Sequence, residues 1–246
     1  MKLRQIVLVA EDLEKSRQQV FSLLGLSEDY KDPFVAGFGV ENSVMAFADT
    51  FLEIVAPLKS DTAAARHLAR RKGDGGYMVI AQADNLAREH ERIEELGIRK
   101  IWEVDLPEAK AFHMHPKDTG GAIASLDEMV PPNAWLWAGP DWENRQASLV
   151  TGIEGVDVQS DNPDAMASKW AQIFDREISQ ANALPILNLD SGYIRFTQAI
   201  DDRGPGVSTI YFRTNHLQQI LANARELGLD IKGQRVSVCG TDFCFI

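Results

Sequence analysis

The chain has 246 residues, 45% of them hydrophobic and 25% charged, which is enough apolar material for one large or two ordinary domains of a globular protein. Its net charge of -11 argues against a nucleic-acid partner, because such binding needs Lys and Arg to neutralise phosphates. No apolar run approaches the roughly 18 residues needed to cross a bilayer, and the N-terminus lacks a cleavage signature. The expectations are a cytoplasmic protein, a small-molecule ligand, no membrane partner, and a monomer or homodimer.

The first element is an apolar strand, Leu3–Val9. Asp12 is placed to cap a helix carrying Leu13, Val20, Phe21 and Leu24 on one stripe, and Gly25 is placed to end it. Three strand-like runs follow at Phe34–Phe38, Val44–Ala48 and Phe51–Ala56, closed by Pro57. The basic segment 67–72, HLARRK, reads as a solvated turn or helix end.

A second unit repeats this order. Its strand is Tyr77–Ala81, and Asp84 or Asn85 caps a helix to about Leu96, which Gly97 stops. Strands follow at Ile101–Asp105, Ala111–His115 and Gly121–Leu126, the last two joined by the turn PKDTGG. At an offset of 72 residues Gln5, Asp12, Gly25 and Glu53 fall on Tyr77, Asp84, Gly97 and Ser125. An internal repeat of β-α-β-β-β units constrains the fold more than any single residue does.

Residues 130–148 break the pattern with prolines and with Trp135, Trp137 and Trp142. Such large apolar side chains are expected to dock on a domain, as structural glue or as a flap over a substrate. Two weaker units follow. Gly155–Val158, a helix opened by Asn162 and Pro163, Leu184–Leu189 and Tyr193–Thr197 make the third. Val207–Phe212, a helix from His216 to Leu227 with Asn215 as cap, and the terminal strand Phe243–Ile246 make the fourth. Cys239 and Cys244 read as small core or strand residues rather than a zinc site. The expected domains are 1–129, a linker over 130–148, and a divergent module over 149–246.

The D-L-E helix start, the L-L-G helix stop, the strand FLEIVAP and the stretch FHMHPKDTGGAIASLDE (112–128) together resemble the vicinal oxygen chelate superfamily. That superfamily holds glyoxalase I, methylmalonyl-CoA epimerase, extradiol dioxygenases and the bleomycin- and fosfomycin-resistance proteins. The resemblance implies an α+β fold of four βαβββ units in two paired modules, with half-open, cup-shaped mixed sheets and helices packed outside. It also implies a site drawn from first and last strands, which maps onto Gln5, Glu53, Tyr77 and Ser125. One carboxylate and no imidazole is a thin shell for a divalent metal. The expectation is therefore a site without a cofactor, a divalent metal being the alternative. Extradiol dioxygenase activity is not expected, because its two-His-one-carboxylate face is missing.

Strand alternation groups Gln5 with Val7 and Val9, and Glu53 with Phe51 and Val55. A carboxylate in a partly apolar pocket is a candidate general base, and a carboxylate paired to a nearby donor is the structural alternative. His113 and His115 flank Met114 on one strand and would point the same way, as candidate substrate contacts. Alternatively one sits at a sheet edge and the other is bonded beside the PKDTGG turn. The leading functional expectation is a glyoxalase-like lyase or isomerase acting on a small oxygenated metabolite. Glu53 is its catalytic base, and Gln5, Tyr77, Ser125, His113 and His115 bind substrate. The rival is a metal-free binding or sequestration protein.

Overall fold

The computed structural model describes residues 1–246. The chain opens with β1 (Lys2–Val9) and α1 (Leu13–Leu24). Asp12 caps α1 by accepting from the Lys15 amide at 2.9 Å, and Gly25 closes it in a left-handed conformation. A 3-10 helix over Pro33–Phe38 precedes β2 (Val40–Phe47) and β3 (Thr50–Pro57), which α2 (Ala63–Arg71) follows. The second unit is β4 (Gly75–Gln82), α3 (Leu86–Glu95), β5 (Lys100–Asp105), β6 (Ala109–Met114), the short α4 (Pro116–Thr119) and β7 (Ile123–Met129). After the Trp-rich segment come β8 (Gly152–Ser160), α5 (Pro163–Phe174), β9 (Ile178–Ala181), β10 (Leu184–Asn188) and β11 (Tyr193–Gln198). The chain ends with β12 (Gly206–Arg213), α6 (Leu217–Glu226), β13 (Ile231–Lys232), β14 (Arg235–Val238) and β15 (Thr241–Phe245).

Two mixed sheets result. One has the order β2-β3-β1-β4-β7-β6-β5, the other β13-β14-β15-β12-β8-β11-β10-β9. Parallel pairing joins β4 to β7 and β8 to β11, while the hairpins β2–β3 and β6–β7 are antiparallel. No helix is long and apolar enough to cross a membrane.

Several expected elements are corrected. Phe34–Phe38 is a 3-10 helix and not a strand, because Asp32 caps it through the Phe34 amide (3.0 Å) and Pro33 opens it. HLARRK is the C-terminal end of helix α2, as one of the two readings had it, but it is not solvated throughout, since His67, Leu68 and Arg71 are buried. Thr62 caps the helix, and Ala64, His67, Leu68 and Arg71 bury one face at helical spacing. The PKDTGG turn contains the one-turn helix α4, ended by left-handed Gly120. The helix α6 is preceded directly by His216, whose side chain makes no cap bond, so Asn215 is not its cap.

Contacts divide the chain into two compact units, each drawing on both sides of the Trp-rich segment. The first holds residues 1–5, 78–136 and 155–207. Its core centres on Trp170 of α5, which stacks on Phe174, meets Phe196 edge-on and donates its indole N–H to the Thr119 carbonyl at 2.7 Å. Arg92 of α3 also bonds the Ile173 carbonyl at 2.7 Å, capping the C-terminal end of α5.

The second unit holds residues 6–77, 137–154 and 208–246. There Asn223 of α6 donates to the last carbonyls of α1 at Ser22 (3.0 Å) and Leu23 (3.3 Å). Phe47 meets Phe212 edge-on at 5.4 Å, and Phe212 lies 5.0 Å from Phe243. All three are fully buried, and each such side chain contributes about 1.5–3 kcal/mol of transfer free energy.

Candidate functional site

Of the positions singled out in the sequence, Glu53 and Tyr77 fall in the second unit, and Gln5, His113, His115 and Ser125 in the first. Glu53 sits on β3 across from Val44 of β2, with Asn42 opposite Val55 in the same hairpin. This register puts Asn42, Val44, Phe51, Glu53 and Val55 on one face. Phe51 on that face is fully buried and meets Trp142 edge-on at 5.2 Å.

Glu53 is 8% exposed. Its Oε1 accepts the Asn42 side-chain amide N–H at 2.7 Å, and Asn42 Oδ1 in turn accepts the Asp32 backbone N–H at 3.0 Å. Burial pushes the Asp32 carboxyl above its ordinary pKa, against the Phe34 amide that bonds it. A buried amide thus holds the Glu53 carboxylate and ties it to the start of the 3-10 helix.

Tyr77 is kept neutral. Burial pushes its phenol up to about 12, and the nearby Glu53 charge adds to this while Arg66 and Arg70 oppose it. The His67 ring stands edge-on to Tyr77 at 5.0 Å. His67 Nε2 lies 3.1 Å from the Gly76 carbonyl and its Nδ1 2.9 Å from an Arg70 guanidinium nitrogen. A carbonyl only accepts and a guanidinium only donates, which fixes the neutral Nε2–H tautomer. Burial first, and then Arg70 and Arg71, push the His67 pKa down to about 4.

In the first unit, the Gln5 carbonyl oxygen accepts the Trp135 indole N–H at 2.7 Å, and both residues are 1% exposed. The Arg4 guanidinium lies 5.0 Å over the same indole ring. Ser125 is fully buried, with its hydroxyl 3.1 Å from the Phe112 carbonyl and 2.5 Å from Asp127 Oδ1. Registered pairs place Trp102, His113, Ser125 and Ile80 in a row across β5, β6, β7 and β4. His113 lies against Trp102 with ring centroids 4.4 Å apart, and burial pushes its pKa down to about 3.

The expectation that His113 and His115 share a strand face is corrected. Strand β6 ends at Met114, and His115 caps α4, its Nδ1 accepting the Lys117 amide at 3.1 Å.

The family model described as a glyoxalase-like domain matches residues 6–174. This chain belongs to that family, within the vicinal oxygen chelate superfamily. Bovine methylmalonyl-CoA epimerase, a mitochondrial protein, is 28% identical over 134 residues, which is 52% of this chain and 74% of the epimerase. The human epimerase is 24% identical over 130 residues, 52% of this chain and 73% of its own. A hypothetical protein from Staphylococcus aureus superimposes with a TM-score of 0.69 at 13% identity, covering 100% of this chain and 98% of its own. A variant of 4-hydroxymandelate synthase from Streptomyces coelicolor gives 0.66 at 16% identity, covering 92% and 74%. These two structural likenesses establish the fold of the glyoxalase-like chain.

Two side chains at the Glu53 site were missed in the sequence. Asn42 meets Glu53 only through the β2–β3 register, which alternation alone does not set. His67 belongs to α2, whose Ala64/His67/Leu68/Arg71 stripe behind Thr62 was the available signal.

Proposed function

We propose that this glyoxalase-like protein is an enzyme of the isomerase or lyase kind that moves a proton at a carbon next to a carbonyl of a small oxygenated metabolite. Glu53 is the base that takes the proton. Tyr77, neutral across the working pH range, donates a hydrogen bond to the oxygen on which charge develops. One observation carries this reading: the buried Glu53 carboxylate is held by Asn42 at 2.7 Å, and its charge acts on the Tyr77 phenol, which burial already keeps protonated. A base oriented by an amide and a neutral donor beside it are the two parts that enolisation needs. The name of the bovine relative, an epimerase, supports the isomerase class.

The residues at the family's ligand positions do not fit a divalent ion. They supply one carboxylate, the Gln5 carbonyl already accepts from Trp135, and Tyr77 stays protonated. The proposed proton transfer therefore uses side chains alone.

The test is proton exchange in D2O, followed by NMR across a panel of small 2-oxo and 3-oxo acids and thioesters. Glu53→Gln is expected to abolish exchange at the activated carbon, and Tyr77→Phe to lower kcat by about 10²-fold with little change in KM. Unchanged turnover in Glu53→Gln refutes the assignment.

A second reading, ligand binding without turnover, is favoured by the internal engagement of Gln5 and Ser125. It predicts saturable binding of an unaltered compound and no exchange with any member of the panel.

A further inference from the structure

Tyr77 stands at the end of a pliable stretch of backbone. Three of the four residues before it, Gly73, Gly75 and Gly76, are glycines, and glycine restrains the backbone least of all residues. Asp74 ties this stretch from one side by accepting the Glu11 amide at 2.7 Å. The Gly76 carbonyl, next to Tyr77, is held from α2, where His67 donates its Nε2–H to it at 3.1 Å. The same imidazole stands edge-on to the Tyr77 ring, with centroids 5.0 Å apart and planes at 79°. His67 thus meets Tyr77 twice, through the peptide that carries it and through its ring.

The helix α2 lies in the chain between β3, which carries Glu53, and β4, which carries Tyr77. His67 occupies the middle of its buried stripe, with Ala64, Leu68 and Arg71. An apolar side chain would fill that place with no polar atom to satisfy. A buried imidazole costs free energy unless its nitrogens are bonded, and both are, since Nδ1 accepts from Arg70 at 2.9 Å. Burial, and then Arg70 and Arg71, push the His67 pKa down to about 4. The ring therefore stays in the single tautomer that donates to Gly76 throughout the neutral range. Beyond burial, the charges that act on the phenol are those of Arg66, Arg70 and Glu53. A neutral His67 adds none, so its influence on Tyr77 is geometric.

We propose that His67 is the positioning residue for Tyr77, setting where the phenol hydroxyl lies by holding the Gly76 carbonyl and walling the ring. The role of this placement in turnover rests on the reading of Tyr77 as the donor to the substrate oxygen. In that reading α2 is the element that fixes the donor with respect to the base.

The experiment labels the four tyrosines of the full chain with carbon-13 at Cζ and follows Tyr77, assigned by its loss in Tyr77→Phe, up to about pH 10.5. An ordinary phenol, with a pKa of about 10, is mostly ionised there. The wild-type Tyr77 signal is expected not to move. His67→Leu keeps the bulk and loses both nitrogens, so the phenol is released towards water and its signal titrates. His67→Gln, whose amide can donate to Gly76, is expected to restore the wild-type signal. In the D2O exchange assay His67→Leu is expected to lower kcat about tenfold or more with little change in KM, and His67→Gln to recover most of the loss. A Tyr77 signal in His67→Leu that stays as in the wild type, or a His67→Gln no closer to wild type than His67→Leu, overturns the proposal. A moved signal with unchanged kcat keeps His67 in its role and removes Tyr77 from the chemistry. Should His67→Leu fail to fold, the nitrogen-15 imidazole spectrum of the wild type at neutral pH decides. The Nε2–H tautomer supports the proposal, and the Nδ1–H tautomer or an average of the two overturns it.

Discussion

Asn42 and Glu53 are joined by a 2.7 Å hydrogen bond across a hairpin, and the other end of the same amide bonds the backbone of Asp32. Asn42 therefore stabilises a buried charge and fixes its direction at once. Replacing it with alanine leaves the carboxylate without this donor, at a cost of about 1–3 kcal/mol. Urea unfolding of Asn42→Ala at pH 7 is expected to show this loss. If Glu53 is a base, kcat falls as well while KM changes little, since the misaimed carboxylate still sits in the site. Stability equal to wild type removes Asn42 from this role.

His67 makes stability depend on pH in a defined direction. Its folded pKa is about 4, below the ordinary 6.5, because burial and two arginines oppose the charged ring. Above pH 6.5 neither folded nor unfolded chain protonates it, and the group has no effect. As pH falls from 6.5 towards 4 only the unfolded chain takes up the proton, so stability declines, and below 4 the loss is complete. A shift of this size corresponds to at most about 3–4 kcal/mol. Denaturant unfolding at pH 7, 5.5 and 4.5 measures the slope, and His67→Gln is expected to flatten it. An NMR titration placing the His67 pKa at 6 or above overturns the account.

The repeat was legible where one residue type does one local task. Asp12 caps α1, Gly25 and Gly97 adopt the left-handed conformation that ends a helix, and the strand expected around Gln5 forms over Lys2–Val9. Legibility failed where local composition competes with itself. PFVAGF is apolar enough for a strand, yet Asp32 before Pro33 nucleates a 3-10 helix with no buried side chain. The basic run at 67–72 hid an amphipathic helix because one of its arginines, Arg71, lies within the buried stripe. The site was half legible for the same physical reason. Glu53 stands out as a carboxylate among apolar neighbours, but its partner Asn42 is 11 residues away and depends on the register of the hairpin.

Trp135 and Gln5 form one buried pair, with the indole N–H donating to the amide carbonyl at 2.7 Å. Trp135→Phe keeps most of the ring and removes this buried donor to the Gln5 oxygen. The expected cost is about 1–3 kcal/mol. Gln5→Leu tests the same bond from the other side. In a double-mutant cycle the two changes are expected to be non-additive by at least about 0.5 kcal/mol, measured by chemical denaturation. Strict additivity shows that the contact contributes no coupling.

Gly25 and Gly97 share a left-handed backbone, with φ of 70° and 67°, but not their surroundings. A Cβ on Gly97 would meet nothing within 4 Å, whereas one on Gly25 would lie 2.2 Å from Ser148 Oγ and 3.0 Å from Leu149 Cγ. The segment after the tryptophans is pinned there, because the Ser148 amide donates to the Gly25 carbonyl at 3.0 Å and the Leu149 amide to Leu24 at 3.2 Å. Gly97→Ala thus reports the backbone strain alone, about 1–2 kcal/mol. Gly25→Ala carries the same strain and must also push Ser148 and Leu149 away, so its thermal midpoint is expected to fall further. For a chain of this size each kcal/mol corresponds to roughly 2–4 °C. Adding Ser148→Gly to Gly25→Ala relieves the closest contact and is expected to recover part of the difference. Equal midpoints for Gly25→Ala and Gly97→Ala show instead that Ser148 and Leu149 yield freely, and that this segment is not clamped to the end of α1.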